Sequence, residues 1–136
     1  MPNAFVDTNI LVYAAEELLP LTEKTRIARE LLRQPGLAVS VQVLGEFIVS
    51  ARHPKKLALP PTSEAAWLAQ FMRMDIAPLT PETLILALRL HGAYQTSHWD
   101  SLVLASALEL GCPRIYSEDL NHGQGYDGVR VVNPFL

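Results

Sequence analysis

Cysteine is almost absent from this chain of 136 residues. The single Cys112 cannot form an internal disulfide, and no cysteine or histidine spacing is typical of a zinc site. No apolar run approaches the ~18 residues that span a bilayer, and the first residues lack the basic and apolar regions of a secretory signal. These absences argue against disulfide-rich, zinc-binding and membrane-spanning proteins, and we expect a cytoplasmic location.

The sequence also lacks a glycine-rich phosphate-binding loop and the nucleophile motif of a serine hydrolase. It contains no internal repeat, no low-complexity tract and no linker that would divide two domains. With 49% hydrophobic and 18% charged residues, it is long and apolar enough to bury a core. We therefore predict one domain over residues 1–136.

Positive charge is not in excess, because 14 acids outnumber 11 Lys and Arg and give a formal net charge of −3. That balance at first argues against a nucleic-acid partner. If bound metal neutralised four of the acids, Lys and Arg would outnumber the remaining acids and the net charge would change sign. Seven bases fall between positions 24 and 56, and they form either a local basic face or an ordinary solvated surface: Lys24, Arg26, Arg29, Arg33, Arg52, Lys55 and Lys56.

Short apolar runs alternate with longer helix-like stretches along the chain. The strand-like runs are Phe5–Val6, Leu37–Val41, Ile76–Leu79, Arg114–Ser117 and Val129–Val132. The helix-like stretches lie near 9–16, 22–34, 41–52, 63–74, 81–95 and 98–110, with start signals at Ser63, Thr80 and Ser97. This alternation predicts an α/β fold, a three-layer α/β/α sandwich around a central parallel sheet of about five strands.

Asp7 follows the first apolar run and precedes a helix-compatible segment. The pattern predicts a buried strand that delivers a carboxylate to its C-terminal end, where ligands bind in open α/β sheets. An aspartate in this position can also serve as a helix N-cap. Because Thr8 and Asn9 offer the same capping ability, capping alone does not require an acid here, and we predict a site residue.

Asp100 lies at the start of a predicted helix and shares one face with Val103, Leu104 and Ala107. The segment from Ser97 to Asp100 also fits the capping-box pattern, although Asp is one methylene shorter than the usual Glu. A lone charge on a buried face costs several kcal/mol unless it is paired or bound to metal. We therefore favour a ligand role for Asp100.

Glu46 and Asp119 are weaker candidates individually. Glu46 borders the apolar face of a predicted helix, and the preceding Gly45 suggests a close backbone approach. Asp119 follows a strand-like run, where it is either a turn-forming acid or a site residue, and Glu118 is the neighbour with which it could be confused.

Together the four carboxylates predict a divalent-metal site. Two carboxylates 4 Å apart repel by about 4 kcal/mol at an effective dielectric of 20, so such a cluster needs protons or cations. Oxygen ligands suit Mg²⁺ or Mn²⁺ and not zinc. These ions can activate water and stabilise the cleavage of a phosphodiester, which predicts a metal-dependent nuclease.

Four segments carry these acids in order along the chain: Phe5-Val6-Asp7-Thr8-Asn9-Ile10-Leu11, Ser40-Val41-Gln42-Val43-Leu44-Gly45-Glu46-Phe47, His98-Trp99-Asp100-Ser101-Leu102 with Ala105 and Ala107, and Ser117-Glu118-Asp119-Leu120. In this order they resemble the PIN-domain family, and within it the VapC-type toxins of bacterial toxin–antitoxin pairs. Each is weak alone, but four in order over nearly the whole chain are specific. His98 stands where the family often has an aromatic residue.

The resemblance implies an endoribonuclease that depends on Mg²⁺ or Mn²⁺, forms a homodimer, and is inhibited by a cognate antitoxin whose tail occupies the active-site groove. It places Asp7, Glu46, Asp100 and Asp119 on the family's acidic quartet, with Asp7 and Asp100 as principal metal ligands. Ser117 falls where a small hydroxyl residue often supports the site, and Asn9 is a candidate supporting partner.

Two other classes compete with the nuclease. A haloacid-dehalogenase-like phosphatase also begins with an aspartate at a strand end, but it needs a second aspartate where this chain has Asn9. A non-catalytic PIN-fold module for RNA binding or assembly is the main alternative. The presence of all four acids argues against it, and Mn²⁺ binding would discriminate the two.

Overall fold

The computed structural model describes residues 1–136. The strands are β1 (Ala4–Val6), β2 (Leu37–Ser40), β3 (Asp75–Ala77), β4 (Arg114–Tyr116), β5 (Gly125–Tyr126) and β6 (Val129–Val132). The helices are α1 (Thr8–Ala14), α2 (Glu23–Leu31), α3 (Val41–Arg52), α4 (Pro61–Phe71), α5 (Pro81–Tyr94) and α6 (His98–Glu109). None of the six helices has the length and apolar character to span a membrane.

The strands form one sheet in the order β3-β2-β1-β4-β6-β5. The β1 strand is central and pairs in parallel with β2 on one side and with β4 on the other. All three of its residues are buried, which explains why its sequence reads as a continuous apolar run without alternation. The arrangement brings the C-terminal ends of β1, β2 and β4 to one edge of the sheet.

Helices cover the sheet as the sequence predicts. The α1, α2, α3 and α4 helices form one connected group, whereas α5 packs on α6, and α6 lies against β2, β3, β4 and β6. A single cluster of buried apolar side chains joins these layers around Phe5, Phe47, Leu104 and Ile115. The α/β sandwich is therefore confirmed, with a mostly parallel central sheet.

The strand number differs from the expected five. The additional strand, β5, contains only two residues and pairs antiparallel with β6 through Tyr126 and Val129. Asp127 and Gly128 connect them with φ angles of 52° and 96°, as in a tight type I′ hairpin. The Asp-Gly dipeptide was the available sequence signal for this hairpin.

Several element ends also differ from the prediction. The α4 helix begins at Pro61 and not after Ser63, because proline is well suited to the first helical position and needs no N–H partner there. The β3 strand ends at Ala77 because Pro78 cannot donate to the ladder. The starts predicted at Thr80 and Ser97 are confirmed by side-chain capping bonds to Thr83 and Asp100.

Candidate active site

Asp7 lies at the C-terminal end of the central strand with only 5% of its surface exposed. Its carboxylate accepts hydrogen bonds of 2.7 Å from the Ser117 hydroxyl and 2.7 Å from the Thr8 backbone N–H. Burial raises the pKa of Asp7 from 3.8 to about 6, against these two hydrogen bonds, and the charges of Asp119 and Asp100 raise it further. The structure thus holds a carboxylate in place where its ionised form is costly.

Asp119 and Asp100 complete an acidic group around Asp7. Asp100 is half-buried in the first turn of α6, and burial raises its pKa, opposed by a hydrogen bond with Ser97 and assisted by the charge of Asp119. Asp119 is exposed, two residues after the buried Ser117. The three aspartates, two of them after strands and one in the first turn of a helix, therefore experience one another's charge.

Asn9 bridges the two sides of this group. Its side-chain Nδ2 donates to Asp119 at 3.2 Å and to Asp7 at 3.4 Å, and its Oδ1 accepts the Glu118 backbone N–H at 3.2 Å. The Ser117 hydroxyl, which donates to Asp7, also accepts the Asp119 backbone N–H at 3.1 Å. Both polar neighbours expected from the motif thus connect the ends of β1 and β4.

Glu46 is attached to the same region by a different contact. The Thr8 hydroxyl donates to Glu46 Oε1 at 2.7 Å, which fixes the second turn of α3 against the start of α1. Gly45 beside it has nothing within 4 Å of the position that a Cβ would occupy. The interpretation that Gly45 permits a close backbone approach is therefore wrong, because this residue faces open space in the wall of a groove.

The groove has a volume of about 890 Å³. Its wall includes Glu46, Glu118 and Asp119, a single cationic residue, Lys56, and the apolar residues Val41, Val49, Leu79 and Trp99. Asp7 and Asp100 do not line it themselves, but they adjoin the lining residues Thr8 and Trp99 in the chain. The acidic group thus lies at the side of an open cleft that is accessible to an extended ligand.

Glu118 and Asp119 have different environments, which the sequence could not distinguish. The Glu118 carboxylate accepts a hydrogen bond of 2.7 Å from the Tyr13 hydroxyl and pairs with Lys24. These contacts keep it away from the other acids, and the Lys24 hydrogen bond helps to lower its pKa against the effect of burial. Asp119 is the residue that interacts with Asp7, so the choice of Asp119 over Glu118 agrees with the geometry.

Most of the seven bases between positions 24 and 56 are engaged within the protein. Arg29 donates 2.8 Å hydrogen bonds to the backbone carbonyls of Ala14 and Glu16, and Arg52 forms a two-point contact with Glu64. Arg33 pairs with Glu30 at 3.4 Å and Lys24 pairs with Glu118. Only Lys56 reaches the groove, so the seven do not act as one open basic face.

The oxygen-rich group fits a hard divalent cation in its chemistry, since carboxylate and amide oxygens are the ligands that Mg²⁺ and Mn²⁺ prefer. No three acidic, histidine or cysteine side chains converge closely enough to hold one ion directly. Mg²⁺ usually keeps several waters and is held by one or two carboxylates. A cation at this group would therefore have few direct protein ligands.

The comparisons agree with this architecture. The sequence model of the PIN domain matches residues 4–124, so the chain belongs to the PIN domain family. No curated protein sequence matches it significantly.

Among solved structures, a toxin–antitoxin complex from Klebsiella pneumoniae shares 22% identity with a TM-score of 0.73, over 96% of this chain and 97% of that one. A DNA-bound VapBC complex from Salmonella typhimurium shares 19% identity with a TM-score of 0.69, covering 96% and 97%. The VapC20 toxin of Mycobacterium tuberculosis, described as cleaving the sarcin–ricin loop, shares 19% with a TM-score of 0.66, covering 85% and 89%. At these identities the likeness concerns the fold.

Proposed function

We propose that this protein is a divalent-cation-dependent endoribonuclease that acts as the toxin of a toxin–antitoxin pair. The observation that carries the proposal is the buried Asp7 carboxylate, held by Ser117 and Thr8 within the charge of Asp100 and Asp119. A buried carboxylate that lies within the charge of two other acids is costly to maintain. A bound cation would offset the repulsion between the carboxylates, and cation binding would explain why the acids lie together.

Asp7 and Asp100 would hold Mg²⁺ or Mn²⁺, with Glu46 and Asp119 completing the site partly through water. When bound, such a cation lowers the pKa of coordinated water and neutralises charge on a phosphate. The chain's own residues keep the acids in position. Ser117 orients Asp7, Asn9 joins Asp7 to Asp119, and Thr8 anchors Glu46.

Family membership and the similar structures favour RNA as the substrate and an antitoxin as the partner. Two of the similar structures are described as toxin–antitoxin or VapBC complexes, and a third as a toxin that cleaves the sarcin–ricin loop. The open groove beside the acids has room for a nucleic-acid strand or for an inhibitory segment of a partner. We include a homodimer and a cytoplasmic location in the proposal.

The decisive experiment compares wild type with Asp7→Asn and Asp100→Asn. Each is expected to lose cleavage of total bacterial RNA in Mg²⁺ or Mn²⁺, because amides are poorer ligands than carboxylates. Asp75→Asn is the matched control, since Asp75 is an exposed acid on β3 outside the groove. Induction in bacterial cells should arrest growth and produce discrete new RNA 5′ ends with wild type and the control only.

Other outcomes identify the competing classes. Weak or absent Mn²⁺ binding by calorimetry, together with no RNA cleavage, would favour a non-catalytic module. Hydrolysis of p-nitrophenyl phosphate in place of RNA would favour the phosphatase. Cleavage by Asp7→Asn at the wild-type rate would remove Asp7 from the mechanism.

A further inference from the structure

Trp99 is an exposed aromatic residue in the wall of the groove. About 59% of the Trp99 surface is exposed to solvent, although tryptophan is highly buried on average. It immediately precedes Asp100 in the first turn of α6. An open indole therefore lies one residue from the acidic group, on the surface that a substrate would cross.

The backbone of Trp99 is held, and its ring is exposed apart from one contact with His98. Gln42 of α3 donates from Nε2 to the Trp99 carbonyl at 3.2 Å, and the His98 ring contacts the indole edge-on at a centroid distance of 4.8 Å. Ser97 caps the same turn by accepting the Asp100 N–H at 3.1 Å. These contacts fix the base of the side chain relative to the acids, so a ligand pays little ordering cost to use it.

The groove offers few cations to a phosphate backbone. Its wall carries one base, Lys56, whereas the acid Glu118 is paired with Lys24, and Glu46 and Asp119 belong to the proposed cation site. Such a wall does not attract a phosphate backbone in the way a basic groove does. Affinity for a single strand then needs a further source, and stacking of bases on aromatic side chains is the usual one.

We propose that Trp99 is the base-stacking platform of the groove, where it binds an unpaired nucleobase of RNA next to the phosphodiester that is cut. The proposal rests on the proposed ribonuclease function and adds a specificity determinant to it. Because only an unstacked base can lie on the indole, the platform selects single-stranded segments and loops over duplexes.

The test uses a 12-residue oligoadenylate RNA and the variants Trp99→Leu and Trp99→Phe. Trp99→Leu is expected to raise KM by about 5- to 100-fold, the loss typical of one stacked base, with kcat nearly unchanged, as for an interaction equal in the ground and transition states. Trp99→Phe should recover most of the loss. Met72→Ala is the control, since Met72 is 53% exposed and lies outside the groove.

Fluorescence gives a second readout that a merely structural role would not change. Trp67→Phe leaves Trp99 as the single tryptophan, because the chain has two. Binding is measured with Ca²⁺ in place of Mg²⁺ or Mn²⁺, because Ca²⁺ accepts oxygen ligands with looser geometry. The single-stranded oligoadenylate should quench the Trp99 fluorescence, and the equivalent RNA duplex should not. An abasic residue can then be placed at each position of the RNA in turn, and it should weaken binding at one position. With the abasic residue at that position, Trp99→Leu should cause no additional loss of RNA affinity.

The outcomes separate this proposal from the function on which it rests. Wild-type cleavage of RNA with equal KM for Trp99→Leu and no quenching would overturn the platform and leave the ribonuclease intact. Unchanged RNA binding together with lost inhibition by a partner protein would assign Trp99 to protein docking and also overturn it. If wild type neither cuts nor binds RNA, the proposed function itself fails.

Discussion

At the scale of single residues, Asp7 combines two roles that sequence reasoning treats as alternatives. It is the N-cap of α1, because its side chain accepts the Thr8 N–H. It is also the most deeply buried acid of the site. Capping contributes stability of about 1 kcal/mol, whereas burial opposes ionisation. The raised pKa shows that burial has the larger effect.

This balance predicts how stability depends on pH without added metal. The folded pKa of Asp7, about 6, lies above the ordinary 3.8, so the folded state binds more protons between these values. Its contribution to stability is full below about pH 4 and is lost as pH rises through 6. Asn cannot titrate, so Asp7→Asn does not lose this contribution. The unfolding free energy of Asp7→Asn relative to that of wild type should therefore rise by up to about 3 kcal/mol between pH 4 and pH 7.5.

Urea denaturation of both proteins across this pH range, with EDTA present, measures the difference directly. The constant cost of replacing a carboxylate by an amide cancels, because only the change with pH is compared. Asp75→Asn should show no comparable upward trend against wild type. A difference between Asp7→Asn and wild type that stays flat from pH 4 to 7.5 would contradict the raised pKa.

At the scale of elements, the segment after β4 is held from two directions. On the inner side, Glu118 N–H donates to Asn9 and Asp119 N–H donates to Ser117. On the outer side, the Glu118 carboxylate binds Tyr13 of α1 and Lys24 of α2. The Lys24 ammonium also lies 5.1 Å from the centre of the Tyr13 ring. Two helices therefore set the position of the turn that carries Asp119.

Removal of this outer contact should impair catalysis more than stability. We expect Lys24→Met to lower kcat by about tenfold, with little change in KM. This loss is smaller than the roughly 10²-fold that a 1 Å displacement of a catalytic group can cause. The melting temperature should hardly change, because exposed ion pairs contribute about 0–1 kcal/mol. Cleavage kinetics and thermal denaturation of the same samples test both statements.

Arg33→Met is the matched control for that experiment. It removes an exposed ion pair with Glu30, which lies on α2 as Lys24 does, but this pair is away from the site. It should leave kcat unchanged. Equal kcat for Lys24→Met and wild type would show that Asn9 and Ser117 suffice to position Asp119.

At the scale of the whole molecule, the topology assembles the site from distant parts of the chain. Ser117 and Asp7 are 110 residues apart in sequence, and their side chains are 2.7 Å apart. They meet because Val6 pairs with Tyr116 across β1 and β4. The α3 helix, which starts directly after β2, brings Glu46 to Thr8.

A site built in this way should couple cation binding to folding. An ion that binds only the folded state stabilises it by about 2.7 kcal/mol at 100 times its Kd. We therefore expect Mn²⁺ to raise the melting temperature of wild type at pH 7.5 and much less at pH 5, where the Asp7 proton competes with the ion.

Asp7→Asn should lose most of that gain at pH 7.5, whereas Asp75→Asn should keep it. The measurement is thermal denaturation in a Mn²⁺ titration at both pH values. An equal rise for wild type and Asp7→Asn would place the ion elsewhere and would argue against the proposed site.

The sequence by itself determined the layered fold and the edge at which the acids gather. Alternating apolar runs and helical stretches are local consequences of burial, so they report strands, helices and strand ends without knowledge of their partners. For that reason, α3 over 41–52 and the placement of Asp7 and Asp119 after strands agree with the structure. The Asp-Gly hairpin carried a local signal as well, but its two-residue strand was too short for an apolar pattern.

Only the tertiary structure decided which side chains meet. Contacts between segments far apart in the chain decide four features: the choice between Glu118 and Asp119, the internal pairing of most of the bases, the open space beside Gly45 and the exposed ring of Trp99. Local patterns state whether a residue is buried, and they carry no information on its partner across the fold. Hydrogen bonds and charges act over a few ångströms, so their partners are set by packing and not by sequence spacing.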